Sequence, residues 1–164
     1  MDPYLLGLVE SLLRVGLGLR FLSSGLSNLR RWPNPVKNSE IVFPGYPPGL
    51  VTFFAAVAVA LIVFGGAGLV LGFLTRAAAL CVIIFLIPTF KIHRHWIQKH
   101  PAMVAEVKSS LQDDGAKPAF QTLNWQAMHS HETGWMNNII LLLAALFFLV
   151  RGASAMSLDV LLFR

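Results

Sequence analysis

Histidines are the first residues in this chain with chemistry to offer. His93, His95 and His100 follow one apolar run, and His129, His131 and Glu132 precede another. Neutral imidazole is the commonest protein ligand for zinc, copper or iron. It also hydrogen-bonds quinone carbonyls and ligates haem or chlorophyll-type pigments. If both segments leave their apolar runs on the same side, His93, His95, His129, His131 and Glu132 make a candidate metal set. Helical geometry works against that set. Residues i and i+2 lie about 200° apart on a helix, so a His-x-His pair faces one ion only where the backbone is extended. Histidines sitting beside lipid headgroups are the plainer reading. For a quinone or other small molecule His93 is the best single candidate, being nearest its apolar run and one helical turn from Trp96.

A second pair lies far from the histidines in sequence. Glu10 precedes Arg14 by four residues inside an apolar run, the favourable order for an ion pair on a helix. Pairing makes tolerable in lipid what two isolated charges would not be. Glu10, Arg14, His93 and Trp96 are therefore the candidate small-molecule site. Arg20 falls on a different face, free to snorkel or to meet a partner on another helix or subunit.

The apolar runs dictate the elements that hold these residues. Leu50 to Leu74 carries no charge, Cys81 to Phe90 and Ile139 to Val150 are nearly pure hydrocarbon, and Tyr4 to Leu29 is interrupted only by Glu10, Arg14 and Arg20. About 20 apolar residues cross a hydrocarbon core of about 30 Å. The expectation is an all-α integral membrane four-helix bundle, one transmembrane domain over residues 1–164. Its helices run over about 4–29, 49–71, 75–90 and 135–150, and a surface insertion over about 91–134 carries a short amphipathic helix. Charged residues make up 13% of the chain, half the roughly 25% of a soluble domain, which excludes most soluble-enzyme readings.

The net charge of +5 fits anionic lipid or loops retained in the cytoplasm rather than nucleic acid. The single cysteine, Cys81, forms no internal disulfide and reads as a small buried hydrophobe. The N-terminus lacks a secretory cleavage pattern, so the first apolar run is expected to stay as the first helix.

Small residues mark the packing faces. On a helical wheel Gly7, Glu10, Ser11, Arg14, Gly18 and Gly25 share one stripe. Gly65, Gly66, Gly68 and Gly72 cluster at the end of the second run, the last two at Gly-x-x-x-Gly spacing. Gly18, Gly25, Gly68 and Gly72 are the expected packing glycines. Arg30, Arg31 and Trp32 close the first helix as interface anchors, and Trp96, Trp125 and Trp135 extend an aromatic belt. Pro44, Gly45, Pro47 and Pro48 predict a rigid non-helical lead-in. Pro101 reads as the start of the amphipathic helix, with Met103, Val104, Val107 and Leu111 on one face, Lys108, Gln112 and Asp113 on the other, and Gly115 as its stop. Of Asn137 and Asn138, one is expected to cap the last helix and the other to bond across the bundle. Asp159 reads as part of a solvated tail. Four spans put both termini on one side, and Arg30, Arg31, Lys37, Lys91, Arg94 and Lys99 outnumber Arg76, Arg151 and Arg164, which puts the long loops in the cytoplasm.

Five short motifs, in order, resemble the DoxX family. Arg14 and Gly25 sit where its first helix carries an Arg and a Gly. Gly72-Phe73-Leu74-Thr75-Arg76-Ala77-Ala78-Ala79-Leu80 resembles its G-x-x-T-R-x-A-A turn, and Pro88 to Trp96, with His93-Arg94-His95-Trp96, its H-R-x-W element. Met136-Asn137-Asn138 is similar to the polar approach to its last helix and Ser157-Leu158-Asp159 to its closing S-L-D. The resemblance implies a four-helix membrane bundle serving a redox complex, as in relatives that are membrane subunits of thiosulfate:quinone oxidoreductase. The segment Gln98–Thr133 is longer than in a minimal member, and His100, His129 and His131 match no family landmark, which points to a docking surface peculiar to this chain.

No catalytic triad, paired catalytic carboxylates or nucleotide motif is present. The expected function is a DoxX-like membrane subunit of a redox complex, contacting quinone or anchoring a catalytic partner, and at most an oxidoreductase subunit. Its expected partners are the lipid bilayer and other membrane subunits, docked through 91–134, and its expected home is a bacterial or archaeal cytoplasmic membrane. A non-catalytic assembly subunit and a small-anion carrier using Arg14 and Arg20 are the alternatives.

Overall fold

Helix follows apolar periodicity along almost the whole chain. The computed structural model describes residues 2–110, 115–153 and 156–163. Its elements are α1 (Pro3–Arg30), α2 (Asn34–Val42), α3 (Pro48–Leu71), α4 (Thr75–Ser110), α5 (Ala116–Arg151) and α6 (Leu158–Phe163). No strand occurs among the described residues. Leu111, Gln112, Asp113 and Arg164, which the sequence reading used, lie outside them.

Three helices, α3, α4 and α5, are long and apolar enough to cross a membrane. The 28-residue α1 matches them in length but carries Glu10, Arg14 and Arg20. The chain α1–α3–α4–α5 packs in that order, and α1 touches α5 only lightly. Between them lies a core of Leu17, Ile62, Leu69, Val82, Leu86 and Phe148. Outward surfaces stay apolar, with Phe64 72% and Leu143 61% exposed, as a lipid-facing helix requires.

Close backbone approach explains the small-residue stripe. A Cβ on Gly18 would lie 2.6 Å from the Val70 amide nitrogen and 2.8 Å from the Gly66 carbonyl. The antiparallel helices α1 and α3 therefore cross with backbones in contact. Gly68 instead meets the start of α4, its Cβ position 2.7 Å from that of Ala78. Gly72 does not pack a helix interior. It ends α3 at φ +65, where the Phe73 amide donates to the Gly68 carbonyl at 2.9 Å and the Gly72 amide to the Leu69 carbonyl at 3.3 Å. This is a Schellman stop, which a glycine accommodates without Cβ strain.

The expected insertion takes a different form. The helix over 75–90 continues to Ser110, the helix over 135–150 begins at Ala116, and the described part of the expected amphipathic helix, residues 101–110, belongs to α4. Loss of hydrophobicity at Lys91 marks where lipid ends, not where hydrogen bonding stops. From Phe73 to Asp114 there is no glycine to break the ladder. Each 36-residue helix is about 54 Å long by its rise per residue, against about 30 Å of hydrocarbon. The far halves pair as an antiparallel extension, where His100 Nε2 and Asn124 Oδ1 lie 2.5 Å apart. Pro101 thus sits inside a helix rather than starting one. Upstream, Asn34–Val42 wind into α2, and Pro44 to Pro47 then form the expected non-helical lead-in, with Pro48 already the first residue of α3.

Candidate functional site

The expected four-residue site divides between the two ends of the helix assembly. Along α1, Arg14 and Asn28 are 14 residues apart, about 21 Å by helical rise. Glu10 and Arg14 lie at the end where α3 stops and α4 starts. His93 and Trp96 lie at the other end.

At the first end Glu10 and Arg14 do not pair with each other. Arg14 is 2% exposed and donates from Nη1 to the Leu69 carbonyl at 2.6 Å and from Nη2 to the Met156 carbonyl at 2.6 Å. Carbonyls at the end of α3 have lone pairs to spare, and the fixed fork of the guanidinium adds a donor at Leu69, beside its long Gly72 bond, while reaching Met156 outside the helix. Glu10 turns instead to Arg151, its Oε1 accepting from Nε at 3.0 Å. The i,i+4 spacing was sound, but both partners found stronger or freer groups across the bundle.

Asp159 closes the same end and is no solvated tail. Its Oδ1 accepts from the Leu74 amide at 2.6 Å. Its Oδ2 accepts from the Thr75 amide at 2.9 Å and the Thr75 hydroxyl at 2.8 Å. Those are the orphan donors at the start of α4. Leu74 adopts φ +47, a conformation rare for a leucine, and the carboxylate on its amide helps to hold it. Burial pushes the Asp159 carboxyl up, but the Thr75 and Leu74 bonds and the nearby Arg14 charge outweigh it and leave the group below its usual range. The Asp159 amide also donates to the Gly72 carbonyl at 2.9 Å. Arg14, the Gly72–Thr75 turn and Ser157–Asp159 form one clamp.

At the opposite end the helices enclose a cavity of about 360 Å³, within the size range of small-molecule sites. Its walls are mostly apolar, from Val42, Phe54, Leu61, Ile84 and Phe85, and its polar groups are Asn28, Asn38, Ser39, Thr89, His93 and His131. The short α2 covers it. Lys91 Nζ donates to the Val42 carbonyl at 2.7 Å, and Phe43 stacks on Phe54 with centroids 4.3 Å apart. Trp96 stacks on His131 at 6.0 Å and 12°, and His93 meets His131 edge-on at 5.7 Å. His93 Nδ1 is buried and has no hydrogen-bond partner among the described residues. The ring fits there because Gly134 faces it, where an added Cβ would lie 2.5 Å from His93 Cε1.

Helical geometry also scatters the metal set. His95 turns to the edge of Trp96 and His129 stacks on Trp125 at 5.1 Å. No three His, Cys, Asp or Glu side chains gather at metal distance among the described residues. The backbone stays helical through 93–95, so the 200° separation holds. Of the asparagines, Asn138 reaches across to Thr89, Nδ2 to Oγ1 at 2.8 Å. Neither caps a helix, since α5 starts much earlier. Sequence reasoning missed the α2 wall, Asn38, Ser39 and Phe43. A short polar helix between two prolines carries no periodic signal.

The DoxX family model matches residues 9–96, more than half of the chain. The chain belongs to the DoxX family. Together with the three apolar helices this makes it an integral membrane protein. The DoxX match takes in Arg14, the Gly72–Leu80 turn and Pro88–Trp96. Asn138, His131 and the Ser157–Asp159 half of the clamp fall beyond it. Comparison with curated proteins and with solved structures gave no match.

Proposed function

We propose that this protein is the membrane subunit of a redox complex and holds a quinone-type headgroup in the cavity beneath α2. The observation that carries this reading is the buried, unpartnered His93 Nδ1 in a mostly apolar cavity. An unpaired buried polar atom is destabilising, and a ligand carbonyl or hydroxyl would relieve it. The Trp96–His131 stack offers a flat aromatic wall for a planar ring. His93 supplies one hydrogen bond that orients the ring, and Asn38, Ser39 and Thr89 stand within the same cavity. A quinone accepts electrons when bound. The residues here bind, orient and exclude water, so the electrons come from a partner protein.

In this reading α1 crosses with α3, α4 and α5 to give four spans, both termini lie on one side, and the loops and the α4–α5 extension face the cytoplasm by their Lys and Arg content. The extension favours a second reading, an accessory subunit that anchors a partner. Met103, Val107, Leu123 and Trp125 are all exposed there. The anion-carrier reading loses ground because Arg14 already donates to the Leu69, Val70 and Met156 carbonyls.

The test is quenching of tryptophan fluorescence by decylubiquinone and by a short-chain menaquinone analogue, with the purified protein in lipid nanodiscs. Saturable quenching that weakens roughly tenfold in His93→Ala matches one lost buried hydrogen bond. Unchanged affinity in that variant rejects the quinone reading and leaves the accessory one.

A further inference from the structure

Arg20 is an anomaly of depth. If Arg30, Arg31 and Trp32 mark the interface, Arg20 lies ten residues further along α1, about 15 Å by helical rise. That is half of a hydrocarbon core of about 30 Å. The side chain is exposed and its guanidinium has no hydrogen-bond or ion-pair partner among the described residues. Snorkelling suits arginines near helix ends, and this one sits mid-span. It borders a groove of about 450 Å³ between α1 and α5, floored by Leu17, Leu141 and Phe148 and flanked by Gly16 and Ala144. The groove exists because α1 and α5 barely touch. At Gly16 an added Cβ would meet nothing within 4 Å. The floor is apolar, Gly16 and Ala144 let a backbone come close, the exposed Leu12, Leu13 and Phe147 add apolar contact around them, and one cation waits at the rim.

We infer that the α1–α5 groove docks a transmembrane helix of a different membrane protein, carrying an Asp or Glu that pairs with Arg20. Charge complementarity selects this occupant. A second copy of the chain does not offer the anion, since Glu10 is the only carboxylate in α1, α3 or the apolar halves of α4 and α5. Glu10 is buried and bonded to Arg151. Lipid phosphates lie at the surface, not at mid-depth. The inference rests on α1 crossing the bilayer, which is part of the proposed function, and is independent of the quinone cavity.

The test uses the full chain in phosphatidylcholine vesicles with dansyl-labelled leucine–alanine transmembrane peptides, one bearing a central Glu and one a Leu there. Energy transfer from the protein's tryptophans reads association. The Glu peptide is expected to bind roughly tenfold tighter than the Leu peptide, the scale of one interhelical polar contact. That preference should vanish in Arg20→Leu, and Arg20→Glu should prefer a peptide with a central Lys. Equal binding of the two peptides by the wild-type chain overturns the inference. So does a homodimer that occupies the groove and dissociates in Arg20→Leu. In a Cys81→Ser background, membrane-impermeant thiol labelling of Asp2→Cys and Lys37→Cys checks the crossing. Labelling from opposite sides with no peptide preference refutes the docking alone, whereas labelling from one side removes the α1 span and the docking with it.

Discussion

Replacing Asp159 by alanine should unlock the clamped end of the bundle. Three bonds vanish at once, from the Leu74 amide and from the Thr75 amide and hydroxyl. They are not equal. The Leu74 bond is exposed, so water replaces most of it. The two Thr75 bonds are sheltered, and Thr75 itself is 1% exposed. Loss of a helix cap costs about 1 kcal/mol and a sheltered bond to a charged acceptor roughly 1.5 to 3 kcal/mol. With the exposed partner discounted, the loss is about 2 kcal/mol, close to a thirtyfold shift in the unfolding equilibrium. Reversible sodium dodecyl sulfate titration in mixed micelles, followed by tryptophan fluorescence, measures it. Thr75→Val removes only the hydroxyl and should lose about 1 kcal/mol. The double variant should fall short of additivity by a similar amount, because both changes delete the same bond. The pH dependence has a definite sign. The folded carboxyl binds its proton more weakly than the unfolded one. Its contribution is therefore complete above the ordinary aspartate value of 3.8 and drains away as the pH falls through the lowered folded value. Asp159→Ala should lack that acid-sensitive part. A change within about 0.5 kcal/mol of wild type, or strict additivity with Thr75→Val, refutes the clamp.

Two further outcomes separate the sites. Gly134→Val puts side-chain atoms where the His93 ring now lies. Quinone quenching should weaken at least as much as in His93→Ala, with helix content by circular dichroism unchanged, and undiminished affinity would show that the ring position is irrelevant. Glu10→Gln should cost under about 1 kcal/mol in the same detergent titration, because its Arg151 partner is 55% exposed. A loss exceeding that of Asp159→Ala would mean that Glu10, not Asp159, secures this end.

What the sequence made legible follows from how local each cause is. The buried stripe on α1, Glu10, Ser11, Arg14, Gly18 and Gly25, was readable because one helix's period produces it. His93 and Trp96 were readable because they sit one turn apart where lipid gives way to water. The Glu10–Arg14 pairing misled for the same local reason. Spacing within one helix says nothing of carbonyls that α3 and Met156 bring from elsewhere. Asp159 was illegible because its partners are more than 80 residues away. The ends of α4 and α5 were misplaced because composition marks the lipid boundary, whereas the helical ladder runs on past it, through Pro101 in α4 and Gly134 in α5. The cavity needed α2, whose nine residues carry no helical signature.

The two ends of the assembly differ for one geometric reason. Helices that cross with backbones in contact must diverge away from the crossing. Here close crossings lie at Gly18–Gly66 and Gly68–Ala78, next to the clamp made by Arg14 and Asp159, and α1 stays close to α3 as far as Gly25, where an added Cβ would lie 3.2 Å from the Val63 amide nitrogen. Away from it bulkier residues such as Phe54 and Phe85 hold the helices apart, and Pro88 interrupts the α4 ladder beside the cavity. The short α2 roofs the cavity, tied down by Lys91 and the Phe43–Phe54 stack. The glycine crossing and the cavity beneath α2 are thus two consequences of one helix arrangement. A tightly sealed end limits the splay of the helices, and the splay sets the room beside His93.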